Sequence, residues 1–422
     1  MLFFFCFLFP ALLVGQEGSI ISKKSRHRFA QTAFGINQSF TPSHVANIPQ
    51  QVFTPGKLNF ESTTQTTMTF SGLHFWGKVD FYVSFPIFTS QPINKYPANA
   101  FNSGVETGLK YFIWKTPFTS LASPFVGLSF NSMDYKFHAD NKTSGSEIDF
   151  IRTGFHSGLS TILKDKHYVQ ISASYFYKNK LDYYLSRDNL ANIALPPLLF
   201  KVGYRYILDT TLSAESSYES GATQKTVEKL EQENHKYLNT FGIGIGLSSA
   251  FYIKEESSVF DDYPHFEGDK AAGVFPEFGL GYYHHNWDSH ANLSFRSIKR
   301  KMEAFDSEYS VSRISLSLDL YKFLFDYHGF VPFIGVSPGY ELLKTSFADS
   351  LSQRDEKYQK SQIKSGIIFG WDIRPNRLQQ FILRTNLRLY PNLGFSDGNF
   401  NISFQQLEFN FIQAVFYLDR II

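Results

Sequence analysis

The chain has 422 residues, a formal net charge of +2, and an aromatic share of 18% that includes 46 Phe and 24 Tyr. Near-balanced charge gives no basis for a nucleic-acid or other polyanion partner. The aromatic excess suits a barrel whose outer face carries aromatic belts at both membrane interfaces. Mean hydropathy is −0.20, as expected when a polar lumen and loops cancel an apolar outer face.

The first apolar run, Leu2–Gly15 (LFFFCFLFPALLVG), has the length of a signal-peptide core and is too short to span a bilayer. Cleavage is expected near Gly15. That gives a division into signal peptide (1–15), short periplasmic lead (16–27) and transmembrane barrel (28–422). Cys6 is the single cysteine and lies inside the leader, so neither disulfide nor thiolate chemistry is expected in the mature chain.

From residue 29 onward the sequence alternates at period two, which places successive side chains on opposite faces of a strand. Phe29–Phe40 reads as the first strand and Thr41–Gly56 as a long loop that could fold inward. Thr63–Trp76 and Val79–Phe88 follow, joined by a tight turn at Gly77-Lys78. Asn102–Trp114, Pro124–His138, Ile148–Leu163, Tyr168–Tyr177 and Leu198–Leu208 continue the rule. The rhythm then breaks. Ser213–Lys236 contains KTVEKLEQENH, whose opposite charges at helical spacing read as a short solvated helix or a partner-docking segment.

Tyr237–Ile253 (YLNTFGIGIGLSSAFYI) is the clearest span. Phe241, Ile243, Ile245, Leu247, Phe251 and Ile253 share one face; Gly242, Gly244, Gly246 and Ser248 share the other. A phosphate-binding glycine loop requires a helix to follow, whereas here the strand continues. After a polar loop come Phe275–His284, Ala291–Lys299, Val311–Phe325, Phe330–Leu343, Gln362–Ile373, Phe381–Tyr390 and Ile402–Leu418. The count is sixteen spans, with fourteen to eighteen tolerated. The expected fold is therefore all-β: a transmembrane, antiparallel, up-and-down β-barrel. Loops 253–274, 347–360 and 391–400 fall on one end and the links 286–288, 325–329 and 374–378 on the other. Long loops are external in such barrels, so both termini are expected in the periplasm.

The alternating spans, the leader, GWDIRPNRLQQFILRTNLRLYP (Gly370–Pro391) and the closing LEFNFIQAVFYL resemble outer-membrane β-barrel proteins of Gram-negative bacteria, porin-like and of the Bacteroidetes type. The resemblance implies an outer-membrane location, lipid contact and handling by the barrel-assembly machinery during biogenesis. The last strand looks like the segment that machinery reads, although here the chain runs on to Ile422 without a terminal Phe.

Charged residues opposite apolar ones must line the lumen, because Arg or Lys on the lipid face costs roughly 2–4 kcal/mol at the bilayer midplane. This assigns Glu106, Lys110, Arg152, His156, Lys201, Arg205, Arg296, Arg313, Asp319, Lys364, Asp372, Arg384, Arg388 and Glu408 to the interior. Their expected role is either a structural ion network or a polar channel wall. His284, His285, Asp288 and His290 cluster at a turn, but adjacent His residues point to opposite faces and no metal site is assigned. No nucleophile-elbow, H-E-x-x-H, P-loop or CxxC pattern is present, so neither an enzyme nor a cofactor is expected. The expected function is porin-like passage of small solutes. The alternatives are an accessory barrel that docks a protein through external loops or 213–236, and a fatty-acid-type transporter of apolar ligands.

Overall fold

The computed structural model describes residues 29–47, 56–90, 98–138, 145, 147–208, 239–267, 269–374, 381–398 and 400–420. The leader, the lead and the Ser213–Lys236 segment lie outside the described residues. In chain order the strands are β1 (Ala30–Thr41), β2 (His44–Asn47), β3 (Lys57–Phe60), β4 (Thr63–His74), β5 (Val79–Ser90), β6 (Ala98–Phe112), β7 (Ser123–His138), β8 (Ile148–Leu163), β9 (His167–Phe176), β10 (Lys180–Ser186), β11 (Asn189–Ala194) and β12 (Leu198–Leu208). The second half has β13 (Thr240–Ser257), a short helix α1 (Ser258–Asp262), β14 (Ala271–His284), β15 (Ser289–Ala304), β16 (Ser307–Phe323), β17 (Phe330–Asp349), β18 (Arg354–Ile373), β19 (Phe381–Asp397) and β20 (Phe400–Tyr417).

All pairings are antiparallel, and the barrel strands form two closed rings of eight. Sixteen barrel strands were expected and sixteen are present, but they do not make one ring. β12 returns to pair with β1 (Phe34↔Tyr206, Gln38↔Val202) and closes the first. β13 pairs with β20 (Gly244↔Val415) and closes the second. The single barrel over 28–422 is therefore corrected to two barrels, joined through the interval that broke the rhythm. The physical reason is that period two fixes which face a side chain takes and says nothing about which strand closes the ring.

The strand ends also differ from expectation. Thr41–Gly56 is not wholly loop, since β2 lies within it and pairs antiparallel with β3 just beyond it. A second hairpin, β10–β11, occupies the expected loop before Leu198. The expected loops 347–360 and 391–400 are largely strand, because β17 and β18 each run 20 residues and β19 runs on to Asp397. At about 3.3 Å per residue they reach roughly 65 Å, well beyond a hydrocarbon layer of about 30 Å even when tilted.

β16 shows what the extra length does. Leu320, Leu318, Leu316 and Ile314 are exposed on its outer face, and above them the outward positions turn polar at Ser312, Ser310 and Glu308. The inner face runs in the opposite sense: Tyr321 and Phe323 at the lower end, Asp319, Ser317, Ser315 and Arg313 in the middle, Val311 and Tyr309 at the top, all buried. Where the outside is apolar the inside is charged, and where the outside is polar the inside is apolar. That inversion marks the level of a bilayer along the strand.

Candidate functional site: the charged lumens

Each lumen is built in layers. In the first barrel the lower plug is Ala33, Leu73, Phe112, Phe125, Tyr168 and Ile207. The upper plug is made by the two hairpins, with Leu58, Phe60, Tyr183, Leu185 and Ile193 packed on Tyr135 and Phe137. In the second barrel the upper plug includes Val259 and Phe260 of α1, Phe266, Met302, Tyr309, Leu343, Phe347 and Phe404. The lower one includes Tyr283, Phe323, Phe333, Ile368, Val415 and Tyr417. Between the plugs sit the ions.

In the first barrel Asp80 is completely buried and held by two bases. Arg205 grips it with both terminal nitrogens, Nη1 to Oδ1 at 3.1 Å and Nη2 to Oδ2 at 2.7 Å. Lys110 Nζ donates to Oδ2 at 2.9 Å and to Gln170 Oε1 at 2.7 Å. The Arg205 guanidinium lies 4.0 Å over the Tyr168 ring, and Lys110 4.4 Å from the Tyr82 ring centroid. One layer higher, Glu106 accepts from the Tyr82 hydroxyl at 2.6 Å and pairs with Lys201. His156 faces the same hydroxyl at 3.4 Å. Gly127 makes room for this ring, since a Cβ there would lie 2.1 Å from His156 Nε2.

In the second barrel Arg388 donates to Glu277 at 2.6 and 3.1 Å and to Asp319 Oδ2 at 2.8 Å. Arg313 donates to Glu341 Oε2 at 2.6 Å and pairs with Glu408, which Arg296 also approaches at 3.2 Å. Arg296 reaches the Tyr390 hydroxyl at 2.9 Å. Arg384 clamps Asp372 through Nε at 2.7 Å and Nη2 at 3.0 Å. The β13 glycines face these polar chains, and a Cβ at Gly244 would sit 2.9 Å from Gln413.

Every lumen residue expected from the sequence has an inward register. All are buried except Lys364, which is half-buried opposite Gly339. Among the described residues Arg152 stands apart, without a carboxylate. Sequence reasoning missed Asp80, Glu277 and Glu341, the acids that neutralise these bases, and Gln170, Tyr168 and Tyr390. Asp80 and Glu277 each alternate with apolar neighbours, so the signal was available. The four-residue His/Asp cluster is dispersed: His284 packs against the Trp287 ring at 4.9 Å, while His290 is buried and stacked on Tyr321 at 5.1 Å. Among the described residues no three metal-ligating side chains converge.

No family model and no curated protein matches this chain. Solved structures with similar folds include Neisserial surface protein A, at 16% identity over 42% of this chain and 97% of that one, with a TM-score of 0.29. Others are the outer membrane protein OprG of Pseudomonas aeruginosa (13% identity, 44% of this chain and 99% of that, TM-score 0.30) and the toluene transporter TodX of P. putida (9% identity, 92% and 90%, TM-score 0.15). These are outer-membrane β-barrels.

What the arrangement can do follows from its packing. Eight strands enclose an interior just wide enough for side chains to fill. Here the filling is salt-bridged and hydrogen-bonded between two apolar plugs. Such a network fixes the register of facing strands, and removing one partner from it strands a buried charge.

Proposed function

We propose that this chain is an outer-membrane tandem barrel, its chain ends on the periplasmic side, that acts as a non-conducting accessory barrel and catalyses no reaction. Its working surface is the cap that projects beyond the bilayer. The observation that carries this reading is the three-level closure of both lumens: plug, ion layer, plug. A channel wall must leave its charges hydrated, whereas Asp80, Arg205, Arg296, Asp319 and Glu408 each have no exposed surface. The strand extensions of β15–β18 and the α1 cap then supply a rigid polar platform for a protein partner.

Planar-bilayer recording of the purified full chain tests this. No discrete conductance steps are expected, together with co-purification of a partner from detergent extracts that is lost when the cap is trimmed. Stable ohmic steps would overturn it.

The second reading, porin-like passage of small solutes, is favoured by one observation. The first lumen is richer in base than in acid, and a cavity opens in its upper part. Steps confined to the first barrel, and enlarged by shortening Lys201, would carry that reading.

A further inference from the structure

Among the described residues, the buried charges of the first lumen are Lys110, Arg152, Lys201 and Arg205 against Asp80 and Glu106. Asp80 is shared by Arg205 and Lys110, and Glu106 takes Lys201. Arg152 is left over. It is 3% exposed, donates to the backbone carbonyls of Pro196 at 3.0 Å and Lys178 at 3.4 Å, and its guanidinium lies 4.2 Å over the Phe176 ring. Its Nη2 has no hydrogen-bond partner among the described residues. The second barrel has no such surplus: its buried acids Asp269, Glu277, Asp319, Glu341, Asp349, Asp372 and Glu408 slightly outnumber its six buried arginines.

Arg152 lines a cavity of about 20 Å³ beneath the hairpin cap, enough for one or two water-sized groups. Ser39 and Gln65 offer polar atoms around it, and Phe101, Met133 and Leu199 make the rest of the wall apolar. An uncompensated buried cation is costly unless an anion joins it, and a guanidinium matches a carboxylate in shape. One surplus charge and one unpaired nitrogen suit a monoanion. A sulfate or phosphate dianion would overcharge the site, and it would have to shed a larger hydration shell against apolar walls.

We propose that the upper lumen of the first barrel binds a monocarboxylate of formate size, with Arg152 Nη2 donating to a carboxylate oxygen and the C–H edge against Phe101, Met133 and Leu199. The site goes beyond the accessory-barrel reading and does not depend on it, since a blind cavity and a conducting lumen can both hold a ligand there.

The test uses the full chain in nanodiscs with formate as probe, read by titration calorimetry and by the line width of the carbon-labelled acid. Saturable binding of one formate per chain is expected. Arg152→Gln weakens it about tenfold or more, and Arg152→Lys by less, because Lys keeps the charge and loses the fork. Arg152 also tethers the Lys178–Pro196 segment, so a second variant at Thr63, which also lines the cavity, is needed: Thr63→Trp fills that wall while leaving the guanidinium in place, and it too should abolish binding. Lys301→Gln, on the outer surface of the second barrel, should bind as the parent does. Absence of saturation, unchanged affinity in both Arg152→Gln and Thr63→Trp, or equal displacement by sulfate would each overturn the assignment.

Discussion

Arg187 and Asp349 join the two barrels above the bilayer. Arg187 stands at the tip of the β10–β11 hairpin, and its Nη2 donates to Oδ1 of Asp349, the last residue of β17, at 2.7 Å; Nη1 reaches Oδ2 at 3.3 Å. Asp349 also accepts from the hydroxyls of Tyr263 at 3.0 Å and Ser352 at 2.7 Å. These bonds, Arg187 first, hold its carboxyl well below the usual carboxylate range. Its folded-state value lies below its unfolded one, so the clasp contributes fully above the ordinary carboxylate pKa and is lost only as pH falls well beneath it. A double-mutant cycle with Arg187→Ala and Asp349→Ala should return a coupling of about 1–3 kcal/mol in urea unfolding. Asp349→Ala should cost more than Arg187→Ala, because it strips the Arg187, Tyr263 and Ser352 side chains and the Leu351 and Ser352 backbone N–H groups of their acceptor. Additive losses would mean that the hairpin is held by its apolar contacts alone.

A pH response is expected nearby at a higher pH. His265 is buried in the cap of the second barrel against Phe266, Phe305 and Tyr263, with Nε2 3.3 Å from the Ser307 hydroxyl. Burial, with Arg187 adding to it, pulls its pKa from 6.5 to about 4. The unfolded form therefore binds more protons between those two values, and stability falls as pH drops through that window. The protection factors of the Val259 and Phe266 amides, taken relative to intrinsic exchange at each pH, should fall as pH drops from 6.5 to 4. His265→Gln should remove most of that dependence while the Arg187–Asp349 clasp persists. Identical profiles for parent and variant would refute the assignment.

The polarity inversion along β16 makes a depth prediction. Leu318→Arg places a guanidinium in the apolar outer band and should cost about 2–4 kcal/mol, whereas Ser310→Arg, only eight positions along the same face, should cost about 0–1 kcal/mol. Reversible unfolding from detergent or vesicles measures both. A water-soluble barrel would return small, similar values for the two.

Most of the lumen was legible because alternation and the cost of charge in lipid together determine direction. Arg384 beside Leu383, or Asp372 beside Trp371, can point only one way once a bilayer is assumed. Partners were less legible: Asp80 meets Arg205 across the ring from a strand far along the chain, and no local pattern encodes that meeting. The β10–β11 hairpin escaped notice because strands of seven and six residues are too short to span. The long extensions of β17 and β18 were read as loops, since their outward faces change to Lys344, Ser346 and Gln359 and lose the lipid-facing signature.

Ring closure was the least legible feature, and it yields the sharpest prediction. Each ring is completed within its own half, by β1 on β12 and by β13 on β20, and neither needs a strand from the other. The contacts between halves are mostly side-chain contacts, such as Phe81 with Trp371 at 5.7 Å and Phe85 with Phe411 at 6.1 Å, with a backbone bond from Lys270 N–H to the Asp149 carbonyl at 2.8 Å and the Arg187 clasp at the cap. Residues 29–208 and 239–420, produced separately, should therefore each refold in detergent into a heat-modifiable, protease-resistant eight-stranded barrel. Each should be somewhat less stable than in the intact chain, because aromatic faces now meet detergent and Arg187 or Asp349 lacks its partner. Proteolytic cutting of the intact folded chain between Leu208 and Thr240 should leave two resistant fragments that stay associated through those faces. A single sixteen-stranded ring would behave otherwise: each half would expose two unpaired strand edges in the bilayer, which backbone hydrogen bonding forbids, and neither fragment would become heat-modifiable.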